Sequence, residues 1–178
     1  MLYIIELKDY VRVDPKFLKY ETTEAVYKAL KEKYTGKISK EYGIVITVLK
    51  VKEIGEGKII PEDGAVYYPV RFEIVSYIPE LNELVYGIVS NVMEYGAFLN
   101  LGVIDGFVHI SQVMDDYVSY SKDGTLSGKQ TKRVIKVGDI VRARIIAISY
   151  KDPSNPKIAL TMRQAGLGKP EWYEKQKK

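Results

Sequence analysis

Cysteine is absent from the 178 residues, and histidine occurs once. Without thiols there is no disulfide scaffold, no zinc ribbon or knuckle and no cysteine nucleophile. One imidazole cannot furnish a metal site that needs two. Long hydrophobic runs are also missing: none approaches the about 20 residues that span a bilayer. Met1-Leu2-Tyr3-Ile4-Ile5-Glu6 meets a charge within six residues, unlike the apolar core of a signal peptide. These absences predict a soluble protein of the cytoplasm with no membrane partner. A dominant charge of one sign is lacking too. The formal net charge is only +4, which excludes a uniformly basic arm. What remains is 46% hydrophobic and 28% charged, an ordinary globular composition that argues against disorder. The length allows one large domain or two small ones.

The charge is unevenly distributed. Residues 80–128 carry −6 and residues 129–163 carry +7. Two readings of this asymmetry are open. The second block forms a basic face, or the two blocks pair within one domain and largely cancel.

The first 80 residues read as a small α+β domain. Leu2, Ile4, Ile5, Val11 and Val13 mark a strand over 2–13, stopped by Asp14-Pro15. Thr22 or Thr23 is the expected N-cap of a helix, with Glu24 in its first turn. Val26, Ala29, Leu30 and Tyr34 follow at helical spacing, and Gly36 is the expected C-cap. Residues 42–52 predict a strand that is apolar on both parities, hence covered on both faces. In a strand over 66–78, Val66, Tyr68, Val70, Phe72, Ile74, Ser76 and Ile78 share one face, against Tyr67, Arg71 and Glu73. Between these strands, the loop 55–64 holds Gly55, Gly57, Gly64 and Pro61, a composition that predicts no regular structure. Its adjacent Ile59 and Ile60 either fold back onto the sheet or contact another protein.

A boundary near Pro79-Glu80-Leu81-Asn82 opens a second domain over 81–164, with a tail over 165–178. Short strands are predicted at 84–94, 96–101, 104–110, 137–149 and 157–162. Five strands with glycine punctuation predict a five-stranded OB-type barrel. The polar insertion 114–136 is expected to be a helical turn followed by a mobile loop.

The segment Gly87-Ile88-Val89-Ser90-Asn91-Val92-Met93-Glu94-Tyr95-Gly96-Ala97-Phe98-Leu99-Asn100-Leu101 leads through Gly102-Val103-Ile104-Asp105 to Gly106-Phe107-Val108-His109-Ile110-Ser111. Val137-Gly138-Asp139-Ile140-Val141 and Lys157-Ile158-Ala159-Leu160-Thr161-Met162-Arg163 come later. Together they resemble the S1 RNA-binding domain over about residues 82–163. On physical grounds Gly96 permits a tight bend between Tyr95 and Phe98. Phe98 and His109, on neighbouring strands, can then offer rings to unpaired bases. Lys157 and Arg163 can neutralise phosphates. Structural alternatives stay open: Phe98 as a core aromatic, His109 as a strand-end hydrogen-bonding group, Tyr95 as a cover for the barrel end. Where such domains often carry an acidic residue on the binding face at the end of the fourth strand, this chain has Ser149.

A small α+β domain ahead of one S1 domain is similar to the E-prime family of archaeal RNA polymerase stalk proteins and its eukaryotic counterparts. The matching pieces include Gly55-Glu56-Gly57-Lys58, Asp63-Gly64, Met114-Asp115-Asp116-Tyr117 and Gly166-Leu167-Gly168-Lys169-Pro170-Glu171-Trp172. The resemblance implies a truncated ribonucleoprotein-like N-terminal domain and a position beside the RNA exit path. It implies a heterodimer with a small helical protein of the polymerase, the F component of the stalk. It implies a tip formed by loop 55–64 that meets the core polymerase near the clamp, through Gly55, Gly57, Ile59, Ile60 and Gly64. It further implies binding of nascent single-stranded RNA. Trp172 either packs on the barrel or helps to hold the F component. Asp115 and Asp116 suit a loop or capping role better than a metal site. No catalytic triad, carboxylate cluster or phosphate loop is visible, so neither metal nor cofactor is expected, and the function is non-catalytic. The alternative is a stand-alone S1-domain protein of translation or RNA decay.

Overall fold

The structure is a computed structural model that describes residues 1–174. It divides into two compact units, Met1–Ile78 and Pro79–Lys178.

The first unit runs through β1 (Leu2–Val13), α1 (Thr22–Tyr34), β2 (Ile38–Ser39), β3 (Gly43–Ile54), β4 (Lys58–Ile59) and β5 (Val66–Tyr77). The sheet order is β1-β5-β3-β2, with β4 also paired to β5. Period-2 alternation gives β5 one apolar face, and Val70, Phe72, Ile74 and Ser76 on it are buried. Helix α1 covers that face with Ala25, Val26, Ala29, Leu30 and Tyr34, closing a core with Val11, Val13, Val45 and Val48. Tyr34 meets Phe72 at a centroid distance of 5.0 Å.

Three local expectations need correction. Glu21, not a threonine, occupies the N-cap of α1, and its side chain makes no capping bond. Gly36 follows the C-cap Thr35 with φ +78°, a left-handed turn that glycine adopts without a Cβ penalty. Strand β3 is not covered on both faces, since Ile46 and Leu49 are exposed. Its pairing with β5 shifts register at Val45/Thr47, Val48/Lys50 and Val51/Glu53. Each shift inserts a residue and breaks the parity on which the expectation rested. The sheet face away from α1 carries ion pairs instead. Lys52 lies 2.6 Å from Glu73 and 3.0 Å from Glu6, and Arg71 lies 3.0 Å from Glu53.

The segment 55–64 holds more order than its composition predicts. Lys58 and Ile59 lie opposite Tyr67 and Val66 as β4. A Cβ on Gly57 would stand 2.7 Å from the Tyr68 ring, so glycine is what lets this backbone lie flat on β5. Asp63 ties down the far end. Arg12 donates to it at 2.8 and 3.0 Å and the Tyr67 hydroxyl at 2.8 Å.

The second unit comprises β6 (Leu84–Met93), β7 (Gly96–Asn100), β8 (Asp105–His109), β9 (Val118–Ser121), β10 (Thr125–Gly128), β11 (Val134–Lys136), β12 (Ile140–Ser149), β13 (Lys157–Thr161) and a terminal turn of helix, α2 (Glu171–Glu174). Strands β12-β13-β8-β7-β6 form a closed barrel, as the OB-type reading requires. Val89, Ala97, Leu99, Val108, Val141, Ala143, Ile145, Ile158 and Leu160 point inward. The insertion departs from expectation. Past a 3-10 turn at Ile110–Gln112, residues 118–136 build a three-stranded sheet, not a loop. Leu126 lies opposite Ile135, and both are fully buried against the barrel core. These two side chains anchor an otherwise polar hairpin. Asp116 closes its far turn by accepting from Gln130 N, Thr131 N and Thr131 Oγ1 at 2.9, 2.8 and 2.9 Å. This is the capping role expected of it.

Candidate nucleic-acid interface

Strands β7 and β8 alternate between the barrel interior and its outer surface. Ala97, Leu99, Gly106 and Val108 are buried, whereas Phe98, Asp105, Phe107 and His109 are half-buried or exposed. Phe98 lies directly opposite Phe107 in the ladder, with ring centroids 5.1 Å apart. The Tyr95 ring, on the turn between β6 and β7, sits 5.8 Å from Phe107. Gly96 makes this contact possible. A Cβ there would stand 2.2 Å from Val108 O and 2.8 Å from the Phe107 ring.

These rings line a groove of about 570 Å³, with His109, Lys157, Ser149 and Asp105 among its other walls. Four residues singled out in the sequence (Tyr95, Phe98, His109 and Lys157) therefore come together on one outer face. Phe98 is not a core aromatic; the inward positions beside it belong to Ala97 and Leu99. His109 does make a strand-end hydrogen bond, yet it still lines the groove. The backbone N–H of Ser111 donates to its Nδ1 at 3.2 Å, and Ser111 Oγ is 2.8 Å away. With Nδ1 assigned as acceptor by that bond, the neutral ring carries its hydrogen on Nε2, which becomes its remaining donor. Tyr95 is 52% exposed and so offers its ring to solvent.

Arg163 is not among the groove residues. Its Nε pairs with Asp115 at 3.1 Å in a solvent-exposed ion pair. This bond also joins the acidic and basic blocks of the sequence. Lys129 of the basic block lies 4.3 Å above the Tyr117 ring. Phe107 was missed. It shares parity with His109 within a five-residue strand and lies across from Phe98, a signal that alternation alone carries once both strands are placed.

The tip residues behave individually. The backbone of Ile59 does fold back onto β5, yet its side chain stays 74% exposed and that of Ile60 48%, so neither side chain joins the core. Gly55 donates its N–H to Pro69 O at 2.8 Å, and a Cβ there would stand 2.6 Å from the Pro69 ring. Gly64 has ordinary space around it, its nearest contact being Pro15 Cγ at 3.6 Å. Arg12 and the Tyr67 hydroxyl hold the Asp63 carboxyl well below the usual aspartate range. Trp172 packs on the barrel, the first of its two readings. It lies against Gly168 and the barrel core, with the Arg133 guanidinium 5.0 Å over its ring. Arg142 and Gly168 exchange backbone bonds at 2.8 Å and fix this tail to β12.

Comparison with known proteins adds to this geometry. Residues 78–154 match the model of the S1 RNA binding domain, and residues 8–64 match the SHS2 domain found in the N terminus of Rpb7p/Rpc25p/MJ0397. The chain is 41% identical over 180 residues to DNA-directed RNA polymerase subunit Rpo7 of Saccharolobus shibatae, covering all of both chains. It is 40% identical to Rpo7 of Sulfolobus acidocaldarius, over 99% of this chain and 97% of that one.

The chain belongs to the Rpo7 family.

It is 27% identical to subunit RPC8 of the Saccharomyces cerevisiae RNA polymerase III, over 88% of this chain and 77% of that one. Family membership makes the chain a non-catalytic stalk subunit of a DNA-directed RNA polymerase, acting in transcription. The free-standing alternative gives way to this full-length match. None of the described helices is long and apolar enough to cross a membrane.

Proposed function

We propose that this Rpo7-family protein holds nascent single-stranded RNA in the groove of its barrel, pairs with the small helical F component of the stalk, and meets the core polymerase near the clamp through loop 55–64. The observation that carries the RNA assignment is the convergence of Tyr95, Phe98, Phe107, His109 and Lys157 on one outer face. Aromatic faces stack unpaired bases with little regard to sequence, and a paired base cannot reach them. Lys157 neutralises phosphate, and the Nε2–H of His109 donates to an oxygen of the strand. The docking assignment draws support from Ile59 and Ile60, two exposed aliphatic side chains on a loop held by Asp63. The pairing with the F component draws support from the sheet face opposite α1, where Leu2, Ile4, Ile46 and Leu49 are exposed; aliphatic surface of this kind is stabilised by a partner that covers it. We assign this work to the cytoplasm.

The test is crosslinking within the assembled polymerase. Transcripts carrying 4-thiouridine behind the exit path are irradiated, and the crosslinked peptide of this chain is identified. Crosslinks within residues 95–109 are expected. Crosslinks confined to other faces of the barrel, at equal transcript length, would overturn the RNA assignment.

A further inference from the structure

We propose that Phe107 is the principal base-stacking ring of the groove, and that a base seats on it in the space left by Ala147 and Ala159. This rests on the reading of the groove as an RNA site. Phe107 joins the two other rings. It lies 5.8 Å from Tyr95 and 5.1 Å from Phe98, and so is the ring common to both pairs. On the other side of β8, its neighbour in the ladder is Ala159 on β13, and the neighbour of Ala159 is Ala147 on β12. Both alanines line the groove. The cluster is therefore one-sided: rings crowd one flank of Phe107, whereas the two residues next to it in the ladder on the other flank are alanines, with Ile148, Asn155, Pro156 and Lys157 lining the groove beyond them. A planar base fits this gap with its face toward the ring and its edge over the alanine methyls. Gly96 is the supporting element, because any side chain there would displace the Phe107 ring. The ligand class is an unpaired nucleobase within a single strand, and the seat discriminates against duplex through the shape of the gap.

The experiment uses the full chain and a fluorescein-labelled hexaadenylate, read by fluorescence anisotropy beside thermal unfolding of each variant. Phe107→Leu keeps an apolar side chain and removes the π-face. It is expected to weaken binding roughly 5- to 150-fold, the scale of one lost base–ring stack. Phe107→Tyr keeps the ring and is expected to keep binding, while an unchanged unfolding midpoint for Phe107→Leu separates a lost stack from lost packing. Ala159→Leu keeps all three rings and fills the gap; it is expected to weaken binding at least roughly 5-fold. Should Phe107→Leu unfold, Ala159→Leu decides the matter. A folded Phe107→Leu or Ala159→Leu with wild-type affinity would overturn the proposal. The double variant Phe98→Ala, His109→Ala separates the two levels of the argument. If it loses binding while both new variants bind normally, the groove stands and this seat falls. If no variant loses binding, both fall.

Discussion

The two units expose different chemistry on faces that local pattern alone makes look alike. Each has a sheet with one face buried and one turned outward. On the first unit the outward face carries Glu6, Lys50, Lys52, Arg71 and Glu73 in ion pairs, with Leu2, Ile4, Ile46 and Leu49 exposed beside them. On the second unit the outward face of β7 and β8 carries Phe98 and Phe107, joined by Tyr95 from the turn and His109 from the strand end. Aliphatic side chains beside paired charges suit a protein partner, which can satisfy both. Rings beside a single lysine suit a flexible strand of bases and phosphates. The difference lies in which residues stand at the outward parity, since the backbone frameworks impose neither.

The largest expected effects come from the cores beneath those faces. Phe72→Ala empties a fully buried position in the first unit and is expected to cost about 3–5 kcal/mol of its stability by urea unfolding. If the groove alone binds RNA, the affinity of the same variant for a single strand is unchanged wherever the barrel remains folded; a parallel loss of affinity would break the division of roles. A smaller effect is expected from Lys157→Ala. It should lower the slope of log affinity against log salt by about 0.7, as one phosphate contact on a single strand requires. An unchanged slope would assign the phosphate contact to other lysines of the 129–163 block.

Asp63 offers a pH test on the first unit. Its carboxyl is depressed by Arg12 and Tyr67, so it binds its proton more weakly folded than unfolded. The stability it contributes is present above the unfolded value of about 3.9 and is lost as pH falls toward the lower folded value. Asp63→Asn is therefore expected to be less stable than wild type near neutrality, with the gap narrowing below about pH 4. A gap independent of pH would mean that the loop is held by packing and not by the carboxylate. The smallest stability effect is expected for Ile59→Ser with Ile60→Ser. Both side chains are exposed, so unfolding should shift by under about 0.5 kcal/mol, while association with the core polymerase weakens. Unfolding of the double variant would return these residues to the internal core.

Much of this was legible in the sequence, for identifiable reasons. Val70 to Glu73 alternates strictly and the even positions from Val66 to Ile74 are all apolar, so β5 and its buried face follow from period 2, although Val75 and Tyr77 break the pattern at its end. Glycines at 87, 96, 102 and 106 punctuate the barrel strands closely enough to reveal its order. Strand β3 misled because its bulges reset parity, and a bulge leaves no mark in a run of Ile, Val and Leu. The sheet at 118–136 misled because two buried side chains, Leu126 and Ile135, outweigh a polar composition once they meet across a ladder. Gly57 is a breaker by composition, yet its missing Cβ is what brings β4 onto β5. At the site, Phe98 and His109 stood out by motif, whereas Phe107 became visible only when β7 and β8 were set in register. Arg163 stood out by the same motif, but its pairing with Asp115, 48 positions away in sequence, needed the fold to be seen.

The central claim is that the outward rings of β7 and β8 bind unpaired RNA. The most direct measurement is the anisotropy of a short labelled single-stranded RNA titrated with wild-type protein and with a folded Phe98→Ala, His109→Ala variant, beside the same RNA annealed to its complement. The wild type is expected to prefer the single strand, salt to weaken this binding, and the variant to lose it by about 1–3 kcal/mol per stack removed. Equal binding of single strand and duplex, or equal binding by wild type and variant, would contradict the claim.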